Sequence, residues 1–219
     1  MSSLTFSPTG VCGGVSLLVA VMCVASGISL SRAAEMDDVR KQLLSGKYTD
    51  AADIAGAAEN TQPEIEDWPL LRAEALMSSG KYPEAREAIS TALERFPYSM
   101  RLRLAGYDVF LANGETERAQ KVKEEMDRFG GQREWAYREP ADRVALGRAA
   151  ILLGADPKRV TELFFDPVKK LSPDFPDAYL ANGELALAKH DFALASKSFA
   201  AAVKKFPENE CCQGLFHRV

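Results

Sequence analysis

Few side chains in this sequence could do covalent or metal chemistry, and their spacing brings none of them together. The only histidines, His190 and His217, have no nucleophile or carboxylate at a spacing typical of a catalytic pair. The chain has no phosphate-binding glycine loop, no Gly-x-Ser-x-Gly and no His-Glu-x-x-His. We therefore expect a non-catalytic protein with no metal and no cofactor.

The four cysteines lie in two groups at opposite ends of the chain: Cys12, Cys23, Cys211 and Cys212. This distribution does not predict a disulfide framework, and two histidines are too few for a mixed metal site. The vicinal pair could cross-link chains in an oxidising compartment. The simpler interpretation is two thiols on a frayed C-terminal tail.

The charge of the chain excludes one class of partner. It carries 27 basic and 31 acidic residues, a net charge of −4. The basic pairs, such as Lys204–Lys205, alternate with glutamates along predicted helices and are typical of a solvated face. We expect no nucleic-acid binding, because no basic patch is present to neutralise phosphates.

The elements that carry these residues follow a repeat. Gly46, Gly80 and Gly114 lie 34 residues apart, and each is followed five residues later by an alanine. A fixed period of this length is typical of stacked helix–turn–helix units rather than of one globular core. We place each glycine at a turn between helices, where the left-handed conformation costs glycine least.

Apolar residues recur at spacings of three and four on both sides of Gly80, which predicts two amphipathic helices. They are Trp68, Leu71, Ala75 and Leu76 before the glycine, and Ala85, Ala88, Ile89, Ala92 and Leu93 after it. Ala85 and Ala92 are small because antiparallel helices joined by a tight turn approach closely. Phe96–Pro97 should end the second helix.

This pattern resembles the tetratricopeptide repeat, a helix–turn–helix unit with small, aromatic and proline residues at set positions. The fullest match is at Tyr179, Gly183, Ala186, Phe192, Ala195, Phe199, Ala202 and Pro207, with His190 in place of the turn glycine. The resemblance implies an all-α, right-handed solenoid of about five antiparallel helix pairs that binds proteins. The pattern looks most like exported bacterial members of the family.

We divide the chain into three parts. Residues 1–34 are a signal peptide or membrane anchor, residues 35–207 are the repeat array, and residues 208–219 are an irregular tail. The expected repeats are 35–62, 63–98, 99–138, 139–175 and 176–207. The tail resembles the start of another unit, so the array could be truncated, or a partner or second copy could cover its uncapped last repeat.

The period fails at two places. Gly130–Gly131 should end the third unit, and the residues around Trp135 should form a loop or short helix that offers a further partner contact. Pro167 either kinks or divides a helix that begins at Pro157, or the extra residues simply lengthen an inter-helix turn. The longer turn is the simpler of the two interpretations.

In such a solenoid the first helix of each pair lines the concave groove. One apolar column reads Leu70, Leu104, Val144 and Leu180, and a second reads Leu43, Met77, Leu111, Ile151 and Leu187. A charged column between them reads Arg40, Glu74, Asp108, Arg148 and Glu184. We predict that this face binds an extended or helical segment with apolar side chains. The alternative is that the leucines form inter-repeat core and the groove lies elsewhere.

The N-terminal segment predicts the location. Residues 11–30 are uncharged and apolar, and Ser31-Arg32-Ala33 offers small residues where a signal peptidase cuts. The stretch is also long enough to span a membrane and tether the protein. Both alternatives place the repeats outside the cytoplasm.

The function predicted from the sequence is a non-catalytic scaffold, exported to the periplasm or secreted, that binds a protein or peptide. Two alternatives belong to other classes. One is a regulatory or accessory region of a larger enzyme, and the other is a membrane-tethered assembly factor.

Overall fold

The computed structural model describes residues 35–209 and residue 212. The chain divides into two units, residues 1–38 and residues 39–219. Residues 35–38, the described part of the first unit, are helical. The expected signal or anchor at 1–34 lies outside the described residues, as does most of the expected tail.

In the second unit, every regular element of the described residues is helical, and the helices form successive pairs. Residues 39–44 form α1. The next helices are α2 (Tyr48–Thr61), α3 (Asp67–Ser78), α4 (Tyr82–Arg95), α5 (Met100–Ala112) and α6 (Thr116–Arg133). They are followed by α7 (Pro140–Leu152), α8 (Pro157–Val160), α9 (Asp166–Leu171), α10 (Asp177–Ala188) and α11 (Phe192–Lys205).

The periodic glycines are the turn residues inside each pair. Gly46, Gly80, Gly114 and Gly154 all have positive φ, between 74° and 94°. At the second turn, the Gly80 N–H donates to Met77 and the Lys81 N–H donates to Leu76, at 3.1 and 2.9 Å. This pair of hydrogen bonds is the Schellman motif, and it satisfies backbone carbonyls that the helix end would otherwise leave unpaired.

The fifth turn uses the same geometry without glycine. His190 has a φ of 59°, the left-handed conformation predicted for the position where a glycine is replaced. The Asp191 N–H still donates to the Ala186 carbonyl at 2.9 Å. The register of the last pair is therefore kept at the cost of backbone strain.

Small residues set the distance between paired helices. Ala85 and Ala92 are fully buried, as the expected close approach requires. A Cβ on Gly183 would overlap the ring of Phe199, and a Cβ on Gly147 would overlap Phe165. Both phenylalanines are fully buried, so the glycines make room for the largest side chains of the last two pairs.

The prediction that Gly130–Gly131 ends the third unit is wrong. Helix α6 continues through both glycines to Arg133, and only Glu134–Ala136 form a short 3-10 turn. A Cβ on Gly130 would lie 3.1 Å from Leu146 Cδ1. This glycine therefore allows α6 to approach α7, a packing role that outweighs its weak helix propensity.

The expected distortion near Pro167 occurs, so the simpler interpretation of a longer turn is wrong. Helices α8 and α9 are joined by a π-helical turn, Thr161–Phe165. The Asp166 N–H donates to the Thr161 carbonyl five residues earlier. Proline cannot donate the normal helical hydrogen bond, and a π-turn is one way for a helix to pass through such a position.

The expectation of thiols on a frayed tail is wrong for Cys212. Its side chain is fully buried against the last pair, in a cluster with Leu180 and Phe199. The Asn209 side chain accepts a hydrogen bond from the Cys212 N–H at 3.0 Å, as an N-cap residue does. Cys212 therefore covers part of the apolar face of the last pair.

Across the described part of the chain, no helix is both long enough and apolar enough to cross a membrane.

Candidate functional site

The first helices of several pairs enclose a cavity of about 460 Å³. Helices α1, α3, α5 and α10 all contribute to it, together with the start of α2. Its lining residues are Arg40, Leu43, Leu44, Tyr48, Asp67, Leu70, Leu71, Glu74, Ser78, Arg101 and Asp177. Asp177 lies in the fifth pair and lines the same space as residues of the first two pairs. We call this space the groove cavity.

In the second helix pair, residues of the predicted apolar and charged columns line the groove cavity. Leu70 is half-buried in its wall, and Glu74 is accessible to solvent within it. Leu43 from the second apolar column and Arg40 from the charged column line it as well.

The other predicted residues differ in exposure. Leu104, Met77, Ile151 and Leu187 are half-buried, Asp108 is exposed, and Leu111 is 43% exposed. Leu180 is only 4% exposed and packs with Phe199 and Cys212. For Leu180, and for the fully buried Val144, the alternative of inter-repeat core is therefore correct. Both belong to apolar clusters between helices rather than to an open surface.

Two members of the charged column pair with each other. Arg148 Nη2 donates to Glu184 Oε2 at 2.7 Å, and Arg148 Nε donates to the same oxygen at 3.1 Å. These residues come from α7 and α10. The predicted charges at this end of the column are therefore mutually neutralised.

Arg101 is the central cation of the groove cavity. It binds Asp67 with both nitrogens, at 2.6 and 3.3 Å, and its Nη1 lies 3.3 Å from Glu66 Oε1. Arg40 lies 3.8 Å from the same Asp67 carboxylate. Burial alone would raise the pKa of Asp67, but the hydrogen bonds and charge of Arg101 lower it below its ordinary value.

Three further carboxylates have no such partner. Within the described part of the chain, Glu74, Asp142 and Asp177 form no ion pair or side-chain hydrogen bond. Burial raises the pKa of Glu74, with Asp177 adding to the shift and Arg40 opposing it. Burial also raises the pKa of Asp142, and Arg101 opposes that shift. At Glu74 and Asp142, burial therefore outweighs the stabilisation by nearby positive charge.

Several residues of this site are not among those predicted from the sequence. Asp67, Arg101 and Asp177 each lie three residues before a member of the first apolar column, at Leu70, Leu104 and Leu180. One helical turn is 3.6 residues, so they form a further row on the same face. Extending the columns by one turn would have found them.

Trp135 does not line the groove cavity. It is 67% exposed on the 3-10 turn after α6, where its carbonyl accepts a hydrogen bond from Arg138 Nε at 2.9 Å. It remains a predicted contact at a separate surface.

The carboxylates of the groove are not arranged for a metal. Among the described residues, no group of three or more His, Cys, Asp or Glu side chains could hold a metal ion.

Similarity to known proteins agrees with this geometry. A tetratricopeptide repeat family model matches residues 42–100 and, overlapping them, residues 70–122. The structure resembles a thermophilic tetratricopeptide repeat protein of Thermus thermophilus, at 17% identity and a TM-score of 0.52. That match covers 85% of this chain and 97% of the other.

Weaker structural matches include two other proteins. YrrB, a tetratricopeptide repeat protein with an unusual peptide-binding site, has 14% identity and a TM-score of 0.38, with coverage of 82% of this chain and 89% of that chain. The Cut9–Hcn1 complex has 18% identity and a TM-score of 0.45, with coverage of 77% and 31%. No curated protein matches the sequence. The family match over residues 42–122, the Schellman turns and the paired helices show that this chain has the fold of tetratricopeptide repeat proteins.

Proposed function

We propose that this protein is a non-catalytic scaffold that binds a protein or peptide segment in its groove cavity, outside the cytoplasm. The observation that supports this most is the cavity itself. Its volume of about 460 Å³ lies in the range of roughly 300–1,000 Å³ that is usual for ligand sites. Its walls combine leucine side chains with accessible charged groups, the mixture typical of a recognition surface.

A photo-crosslinking amino acid at selected positions tests the groove. We would place it in the full chain at Leu44 or Ser78, which line the cavity, and at Leu171, which is 82% exposed and does not line it. After irradiation in an extract of the source organism, we expect one protein to be linked at both groove positions and not at Leu171. Equal labelling at all three positions would count against a groove site.

The proposed location rests on the uncharged residues 11–30 and the small residues around Arg32. Sequencing the N-terminus of the protein purified from its source tests it. A start near residue 34 supports export with cleavage, and a start at residue 1 in membrane fractions supports a tethered protein. A start at residue 1 in the cytosol would refute both.

A further inference from the structure

We propose that the segment bound in the groove cavity is cationic, an extended stretch that carries Lys or Arg side chains beside apolar ones. This inference rests on the proposed function and names the chemistry of its partner. The charges that face the cavity and the apolar wall beside them support it.

The charges around the groove cavity do not balance. Three carboxylates, from α3 and α10, line the cavity together with two guanidinium groups from α1 and α5. The carboxylates are Asp67, Glu74 and Asp177, and the cations are Arg40 and Arg101. We call this set the acidic groove cluster. Its surplus is negative, so it repels an anionic segment and attracts a cationic one.

Ion pairs with the two arginines do not include all the carboxylates of the cavity. Arg101 is occupied by Asp67 and Glu66, at 2.6 and 3.3 Å. Glu74 and Asp177 interact unfavourably across the cavity and lie in different pairs, the second and the fifth. A cation placed between them would turn this repulsion into two attractions. It would also restore the favourable environment that the carboxylates lose when water is displaced.

A side-chain cation fits better than a metal ion. The carboxylates are not close enough together to hold a metal among the described residues. Lys and Arg carry their charge at the end of an apolar stem. In the groove cavity such a stem could pack on Leu44 and Leu70, while its charged end reaches Glu74. An extended segment points alternate side chains to the same side, so neighbouring apolar residues could contact Leu43.

Synthetic peptides test the charge of the segment directly. We would use three 12-residue peptides in which leucine alternates with lysine, glutamate or serine. Binding to the full chain is measured by fluorescence anisotropy at 50 and 300 mM NaCl. We expect the lysine peptide to bind at least tenfold more tightly than the other two. Its affinity should fall about tenfold at the higher salt, because the screening length shortens.

Substitutions locate the effect. Glu74→Gln and Asp177→Asn should each weaken binding of the lysine peptide by about fivefold to tenfold. Exposed carboxylates away from the cavity, changed as Glu94→Gln and Asp174→Asn, should leave binding unchanged. Circular dichroism of each variant checks that the helices are intact.

The outcomes separate this inference from the proposed function. Failure of the lysine peptide to bind at 50 mM NaCl overturns the cationic segment, as does equal binding of all three peptides. The same holds if Glu74→Gln and Asp177→Asn have no effect. If the photo-crosslinked partner contacts the groove through a neutral or acidic segment, the scaffold function stands and this inference fails. If nothing crosslinks at the groove positions, the proposed function itself fails.

Discussion

Arg143 Nη2 lies 3.4 Å from the backbone carbonyl oxygen of Leu163. Leu163 is four residues before Pro167, so this carbonyl is the one that loses its helical donor to the proline. Arg143 belongs to α7, the partner helix of the pair, and its guanidinium supplies the missing hydrogen bond. The pair thus tolerates the π-turn because the neighbouring helix satisfies its unpaired carbonyl.

This relationship predicts a coupling between the two residues. Arg143→Met should cost more stability in the native chain than in a Pro167→Ala background, where residue 167 can donate its own N–H. We expect a difference of about 0.5–1 kcal/mol in the free energy of unfolding, the usual net value of one hydrogen bond. Urea titration of the four proteins measures it. The exposed Arg159, changed to Met in both backgrounds, should show no coupling.

The left-handed turn at His190 predicts a stabilising substitution. His190→Gly should raise the free energy of unfolding by up to about 1 kcal/mol, because glycine adopts a φ of 59° without strain. Gly114→Ala is the matched opposite change, at a turn where a Cβ meets no atom within 4 Å. It should destabilise through φ alone. Chemical denaturation of both variants gives the values, and a loss of stability in His190→Gly would contradict the role of strain.

The contact between Gly183 and Phe199 predicts a costly methyl group. Gly183→Ala should destabilise by about 1–3 kcal/mol, because the added Cβ meets a fully buried ring that has no room to move. Gly131→Ala is the control within a helix, since a Cβ there meets nothing within 4 Å. It should stabilise by about 0.5–1 kcal/mol through helix propensity. If both variants lose equal stability in thermal unfolding, close packing at Gly183 is not the cause.

Asp108 and Asp67 should respond oppositely to pH. Partial burial of the Asp108 carboxylate raises its pKa, so ionisation of this group opposes folding. The folded state favours the protonated form of Asp108. The resulting gain in stability is fully present below the ordinary pKa of about 4, and it is lost as pH rises through the raised pKa. Asp108→Asn should therefore increase stability at pH 7. The gain should shrink as pH falls towards 4.

Asp67 provides the matched comparison. Burial opposes its ionisation, but Arg101 more than offsets this and lowers its pKa. The folded state favours the ionised form of Asp67. The resulting gain in stability is present above the ordinary pKa, and it is lost as pH falls through the lowered pKa. Asp67→Asn should therefore reduce stability at pH 7, with a smaller loss in acid. Urea titrations at pH 4.5 and 7 measure both variants, and changes of the same sign at pH 7 would contradict the electrostatic interpretation.

Local sequence signals predicted much of this fold. The turns at Gly46, Gly80 and Gly114 depend only on the local backbone conformation and on the spacing of the helices on either side. Their positions could therefore be predicted, and the positive φ of each glycine confirms them. His190 was placed in the same way, through the register of the residues around it. The residues of α3 that line the cavity, Leu70 and Glu74, also followed from helical spacing.

The structural role of a residue could not be predicted where it depends on a neighbour distant in sequence. Gly130 looked like a helix end, but it permits the approach of Leu146 from the next helix. Leu180 looked like a groove residue, but Cys212 and Phe199 bury it. In each case the local pattern was compatible with two arrangements, and a contact distant in sequence decided between them.

The sequence by itself determined the repeated unit, because period, turn glycines and apolar spacing act within about 34 residues. Only the tertiary structure decided where the charges of the groove meet. Glu74 and Asp177 are about 100 residues apart in the chain, and their interaction depends on small rotations added at each successive pair. No local pattern specifies that sum, so the acidic groove cluster becomes visible only in the folded array.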